Sequence, residues 1–371
     1  MPRSAKALLW VRILNQLGAY ALAFLAVFAG PELAPVALAV FGVAALISRW
    51  GGALLLDRLS PRVVVAVGLG ATGLSLVALS AARTPAQILV AVALVGLAFE
   101  IYEPASQELV AQVAVGEQRQ RLYALLGSAL VAAGAIAGLI ASALLPLGVR
   151  WLMVVDAVTC LAACGVALAF LPRDIGKSMT ADEGGRRWRP PARLLHLTAA
   201  STAFAVGYLA VIMFIPLVLL QRGAPAWLPG IALTGAALLS PVALWATRRM
   251  VDALPHGRAL AGGAVLLGVL ALAMARVDSV PSTIAAYLAW TAANGILLGR
   301  WQAMVADVAP ESERPRWFAV QGSSWGIAQP AVPGVVALVG AVAGGFGTAA
   351  FLTAGLAFLV VPLMLRGHSP A

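Results

Sequence analysis

Glu100, Glu103 and Gln107 fall within one strongly apolar stretch, "VALVGLAFEIYEPASQEL" (Val92–Leu109). Spacings of three and seven return to the same side of a helix, so the three share a face. Carboxylates in such surroundings have two chemical uses: they take up and release protons, or they hold a cation. An ionised side chain at the centre of a membrane helix costs roughly 2.5–3.5 kcal/mol on insertion scales, so none is expected to face lipid unpaired. Arg300, in a matching apolar stretch, is one candidate counter-charge for Glu103, and Arg49 is another. The same residues have a purely structural use, as a fixed Glu–Arg pair that holds helices together. Glu108 lies nearer the end of the stretch and is expected in water.

A second set of residues has the types to hydrogen-bond a solute. Asn15, Gln16, Gln107, Tyr208 and Asn294 are polar residues within apolar runs, and Trp290 and Trp301 add aromatic surface. They are candidate substrate-cavity residues, although polar groups in membrane helices also join helix to helix. Bond-breaking chemistry is not indicated. His196, His256 and His368 are scattered near expected helix ends without metal-ligand spacing. Cys160 and Cys164 are four apart in an apolar run, where packing is the expected role. There is no nucleotide-binding loop and no Ser/His/Asp or Cys/His constellation. The expectation is no enzyme, no cofactor and no metal.

The elements that must position these residues follow from composition. Of 371 residues, 61% are hydrophobic and 11% charged, and the mean hydropathy is +0.94. Soluble domains carry about 25% charge. Apolar runs of bilayer-spanning length recur along the chain, and backbone in lipid must satisfy itself as helix. The weak alternation of a membrane β-barrel is absent. Turn residues and charges predict twelve spans, at 7–29, 35–56, 63–82, 86–109, 121–145, 150–171, 197–220, 227–248, 259–276, 281–305, 317–342 and 346–366. The first run, with Arg3, Lys6 and Arg12 at its basic flank, is read as an uncleaved span rather than a leader. One long polar stretch, Pro172 to Arg193, divides six spans from six. The expected fold is an all-α polytopic membrane protein of 12 transmembrane helices in two six-helix pseudo-symmetric bundles. These occupy 1–172 and 196–371, with a cytoplasmic linker at 173–195.

The formal net charge is +10, but the basic residues lie between apolar runs. They therefore report topology rather than a nucleic-acid partner. With the N-terminus inside, only Arg83, Arg150, Arg222 and Arg276 of the 25 Lys and Arg fall in outer loops. Both termini are expected in the cytoplasm, in a bacterial cytoplasmic (inner) membrane.

The two halves align without a gap at a shift of 195 residues. Asp57 falls on Asp252, Gly68 on Gly263, Gly73 on Gly268, and "VAQVAVGEQRQRLYALLG" on "VADVAPESERPRWFAVQG". The paired arginines (Arg119 and Arg314, Arg121 and Arg316) keep the same frame. Parallel repeats of this kind are related by an axis along the membrane normal.

Over nearly its full length the sequence resembles the major facilitator superfamily. The stretch "GGALLLDRLSPR" is similar to that family's loop motif between spans two and three, Gly-x-Leu-x-Asp-Arg-x-Gly-Arg-Arg, with Asp57, Arg58 and Arg62 matching. The stretch "YEPASQELVAQVAVGEQRQR" resembles the end of span four in drug-exporter-like members. Two family features are missing: Val92 stands near the place of a span-four arginine, and Leu139 where a span-five proline is usual.

The resemblance implies a conformational latch. Asp57 ends a helix and so meets the negative end of its own dipole. In the family the corresponding acid contacts the eleventh helix, which here begins near Arg316. By the repeat, Asp252 would face the start of span five near Arg121. It also implies secondary transport by alternating access, with spans one, four, seven and ten around the cavity. The expected activity is proton-coupled export of small hydrophobic organic compounds by a monomer. An importer of a sugar or organic acid is the alternative, and a non-transporting sensor or scaffold a further one.

Overall fold

The computed structural model describes residues 3–113, 117–172, 189–252, 254–297, 299–310, 313–343 and 345–365. The expected linker at 173–195 falls largely outside them. The described residues are almost entirely helical and separate into two compact units, Met1–Arg186 and Arg187–Ala371.

The first unit holds α1 (Arg3–Leu17), α2 (Ala21–Leu56), α3 (Pro61–Ala81), α4 (Pro85–Phe99), α5 (Tyr102–Val113), α6 (Glu117–Leu144) and α7 (Val149–Phe170). The second holds α8 (Ala192–Gln221), α9 (Leu228–Asp252), α10 (His256–Arg276), α11 (Val280–Ile296), α12 (Arg300–Val308), α13 (Arg314–Ala343) and α14 (Phe346–Leu365). Ten helical segments among the described residues are long and apolar enough to cross a membrane.

Three of the expected twelve spans are broken helices. The first is interrupted at Gly18–Tyr20 between α1 and α2, the fourth at Glu100–Ile101, and the tenth before Gly299, which takes φ 79. Polar side chains meet the backbone at two of these breaks. The Asp156 carboxylate accepts from Tyr20 N–H at 3.3 Å, and the Ser48 hydroxyl accepts from Glu100 N–H at 3.0 Å. Broken helices survive at membrane depth where such partners re-satisfy the freed groups. Conversely, residues 31–34 of the expected loop are helical, and only Gly30 departs from helical geometry. Gly30 at φ 78 makes the kink and Pro31 restarts the helix, because proline suits a first turn. Helix α8 likewise starts at Ala192, after Pro191, ahead of the expected 197.

The 195-residue frame reappears in the architecture. Helices α3 and α10 are both 21 residues long and start and end 195 residues apart. Thr84 and Ser279 hold the same N-cap role, each accepting from the backbone N–H three residues on. Gly68 packs against Ile101 and Tyr102, while Gly263 packs against Leu297. Helix neighbours correspond as well: α3 with α7 matches α10 with α14, and α2 with α4 matches α9 with α11.

Two of the arginines expected in outer loops act as helix caps. Arg150 donates to the carbonyls of Ser80 and Ala82 at 2.7 and 2.6 Å, and Arg222 to that of Met274 at 2.9 Å. Cations at helix C-termini are favoured by the orphan carbonyls and the dipole.

Candidate functional site

In the first unit the polar residues of α1, α2 and α5 gather around the break in the fourth span. Arg12 on α1 forms an ion pair with Glu103 on α5. Its guanidinium also lies over the Tyr102 ring, 5.8 Å from the centroid. Glu103 accepts a further bond from Gln107 Nε2 at 2.8 Å, and Tyr102 hydrogen-bonds it too. Asn15 Nδ2 donates to the Tyr102 hydroxyl at 3.0 Å, and the Cys160 thiol on α7 reaches Asn15 Oδ1 at 3.6 Å. Glu103 is thus held by three side chains.

Within the first unit the ion-pair partner of Glu103 is Arg12, where Arg49 had been the candidate. Sequence reading had counted Arg12 with the basic flank, although it lies five residues inside the expected first span. The exposed Arg49 acts instead on Glu100, together with Arg12 and Glu103. Glu100 ends α4 and is half-buried. Among the described residues no hydrogen bond or ion pair to its carboxylate is found. Two acids three residues apart thus have different surroundings. One is locked, and the other has charges nearby but no direct partner.

Of the other expected cavity residues in this unit, Gln16 is half-buried on α1, close to Gly134 on α6. A Cβ at Gly134 would lie 3.7 Å from Gln16 Nε2.

The second unit has a different core. Tyr208 on α8 meets Trp290 on α11, ring centroids 5.7 Å apart, and Trp325 on α13, 5.2 Å and edge-on. Trp290 also neighbours Tyr287 at 6.3 Å and Phe358 at 6.2 Å, and Phe204 joins Phe358 to Trp301. Trp290 is wholly buried and Trp301 nearly so, and both indole N–H groups are without a hydrogen-bond partner. These two tryptophans, expected to face a cavity, are buried among the side chains of this unit. Asn294 is half-buried near the end of α11. Sequence reading missed Trp325, Tyr287, Phe204 and Phe358.

Arg300, buried at the start of α12, donates from Nη1 to His256 Nδ1 at 3.1 Å. A guanidinium only donates, so this nitrogen accepts and the ring proton sits on Nε2. That nitrogen lies 3.6 Å from Asp307 Oδ2.

The motif residues stand at helix ends. Asp57 is the exposed C-cap of α2, Arg58 is exposed beside it, and Arg62 is half-buried in the first turn of α3. Arg316 is exposed in the first turn of α13. Asp252 ends α9 and Arg121 lies in α6, but their side chains lie outside the described residues. No group of three or more His, Cys, Asp or Glu able to hold a metal is present among the described residues.

A family model described as the Major Facilitator Superfamily matches residues 8–299. The chain belongs to the major facilitator superfamily. A comparison with curated protein sequences found no match. Solved structures of the same fold are numerous. A POT family transporter in complex with 5-aminolevulinic acid superposes with TM-score 0.78 at 13% identity, covering 98% of this chain and 95% of that one. The POT family transporter PepTSo gives TM-score 0.77 at 13% identity, with coverages of 99% and 98%. The human organic anion transporter MFSD10 (TETRAN) gives 0.68 at 16% identity, with coverages of 99% and 100%. At these identities the likeness is one of fold. As a major facilitator protein the chain is a multi-pass membrane protein of a transporter family, not an enzyme family.

Proposed function

We propose that this protein is a proton-coupled secondary transporter that works by alternating access and exports small, largely apolar organic compounds. The observation that carries the reading is the contrast between Glu103 and Glu100. A carboxylate tied by an arginine, a tyrosine and a glutamine is a fixed strut between α1 and α5. A half-buried carboxylate without a direct partner can exchange a proton without breaking an ion pair. Protonating Glu100 removes its attraction to Arg49 and Arg12. The charge balance around the break in the fourth span then depends on proton occupancy. A two-state element biased by such a change is what coupling requires.

Asp57, Arg58, Arg62 and Arg316, with Asp252 and Arg121 in the second copy, are proposed as latches that favour the outward-open state. The termini are assigned to the cytoplasm of a bacterial cell on the distribution of arginines. Residues around the charged and aromatic clusters, including Asn15, Gln16, Tyr208 and Asn294, are proposed to contact the substrate.

Uptake is the second reading. It is favoured by the solved neighbours, which include a POT family transporter bound to 5-aminolevulinic acid and an organic anion transporter. Both readings are tested by comparing compound accumulation in cells with and without the protein, with and without a proton uncoupler. Export predicts lower accumulation that the uncoupler restores. Uptake predicts higher accumulation that the uncoupler abolishes. A pattern unchanged by the protein for every compound contradicts both.

A further inference from the structure

Trp325 is more than a third exposed, yet it belongs to the membrane-crossing segment Arg316–Val342. Four residues from the centre of that segment, it lies about 6 Å from mid-depth at 1.5 Å per residue. Tryptophan on a lipid face belongs at the interfaces, about 15 Å from the midplane. An indole N–H in hydrocarbon would be left without an acceptor. Depth therefore argues against lipid as its neighbour.

The helix face argues the same way. Gln321, Trp325 and Gln329 recur at intervals of four and share one side of α13. Gln321 is buried and donates to Ser201 on α8 at 2.8 Å. One turn along, Trp325 meets Tyr208 on the same helix α8, edge-on at 5.2 Å. This side of α13 is thus turned toward α8, not outward. The Trp325 ring lies edge-on to Tyr208 and stays more than a third exposed, and Tyr208 in turn rests on the buried Trp290. No hydrogen bond to the Tyr208 hydroxyl is found among the described residues, and the Trp290 N–H is buried without an acceptor. A partly exposed ring beside a tyrosine whose hydroxyl has no partner among the described residues suits a flat apolar group that carries a hydrogen-bonding atom.

We propose that Trp325 and Tyr208, supported by Trp290, form a substrate subsite within the second unit that binds the planar aromatic portion of an uncharged organic compound. Ring stacking and edge-to-face contact supply the selectivity, because a saturated ring of equal size lacks the quadrupole that aromatic partners recognise. The inference deepens the transport reading and rests on it for the purpose of the site, but its test needs no transport.

The test is equilibrium dialysis of 2-naphthol and its saturated counterpart decahydro-2-naphthol against the full-length protein in lipid nanodiscs, with empty discs subtracted. The wild type is expected to prefer 2-naphthol by roughly fivefold, the size of an aromatic pair interaction. Trp325→Leu, which keeps an apolar side chain and removes the ring, is expected to abolish that preference. Trp325→Phe is expected to retain it, and guards against loss by misfolding. Equal binding of the two compounds by the wild type, or an undiminished preference in Trp325→Leu, overturns the subsite. Failure of proton coupling would appear in flux measurements and leave this binding result untouched, so the two ideas fail separately.

Discussion

The two units share a scaffold and differ in what they bury. In the first, α1, α2 and α5 bring Arg12, Glu103, Tyr102 and Gln107 together around a broken helix, with Glu100 beside them. In the second, α8, α11, α13 and α14 bring together Tyr208, Trp290, Trp325 and Phe358. The helix lengths, caps and close-packed glycines keep one 195-residue frame. The side chains placed at the centre of each unit do not. The repeated frame keeps what makes the helices pack, while the side chains gathered inside differ: a charged cluster in the first unit, and an aromatic cluster beside the buried Arg300 in the second.

The contrast can be broken from the charged side first. Arg12→Ala leaves Glu103 in a largely enclosed site without its counter-charge, and is expected to cost about 3 kcal/mol of stability. Glu103→Gln in the same background should recover part of that loss, measured by thermal unfolding in detergent. Full additivity of the two changes would deny the pair. Equivalent glycines give the next largest effect. A Cβ at Gly68 would sit 2.7 Å from the Tyr102 backbone nitrogen, whereas one at Gly263 would meet the Leu297 side chain at 2.5 Å. Backbone cannot move aside as a leucine can. Gly68→Ala is expected to destabilise by about 2–3 kcal/mol and Gly263→Ala by about 1 kcal/mol, within the range for overpacking. The reverse order in melting temperatures would contradict the distinction between an unyielding backbone contact and a yielding side-chain one.

The smallest effects test the shared frame itself. Thr84→Ala and Ser279→Ala each remove an N-cap acceptor and are expected to cost about 1 kcal/mol. Thr84 should cost the more of the two, because Gln87 completes a capping box there. Proton–deuterium exchange at the first turns of α4 and α11 would register both.

Much of this scaffold was legible. Hydropathy and turn residues place the membrane segments. Asp57 and Asp252 reveal the repeat because aspartate is rare in this chain, so its recurrence in frame carries weight. The breaks in the first, fourth and tenth spans were not legible, since apolar periodicity runs through Glu100–Ile101 without interruption. What holds that break, Ser48, comes from another helix. Arg12 went unrecognised because topology alone explains an arginine near an N-terminus. Its depth, with Asn15 one turn further in, was the signal available. The aromatic cluster left no local trace: Tyr208, Trp290 and Trp325 lie in three helices and meet only when these pack.

The central claim is that Glu100 carries the proton while Glu103 is a strut. The most direct measurement is proton flux in proteoliposomes, read with an internal pH-sensitive dye as a transported compound is added, for Glu100→Gln and Glu103→Gln. The account predicts that Glu100→Gln abolishes compound-dependent proton movement yet still exchanges substrate with substrate at a rate close to wild type. Glu103→Gln is predicted to slow both processes together while leaving proton movement tied to each turnover. Compound-dependent proton movement of wild-type size in Glu100→Gln would contradict it.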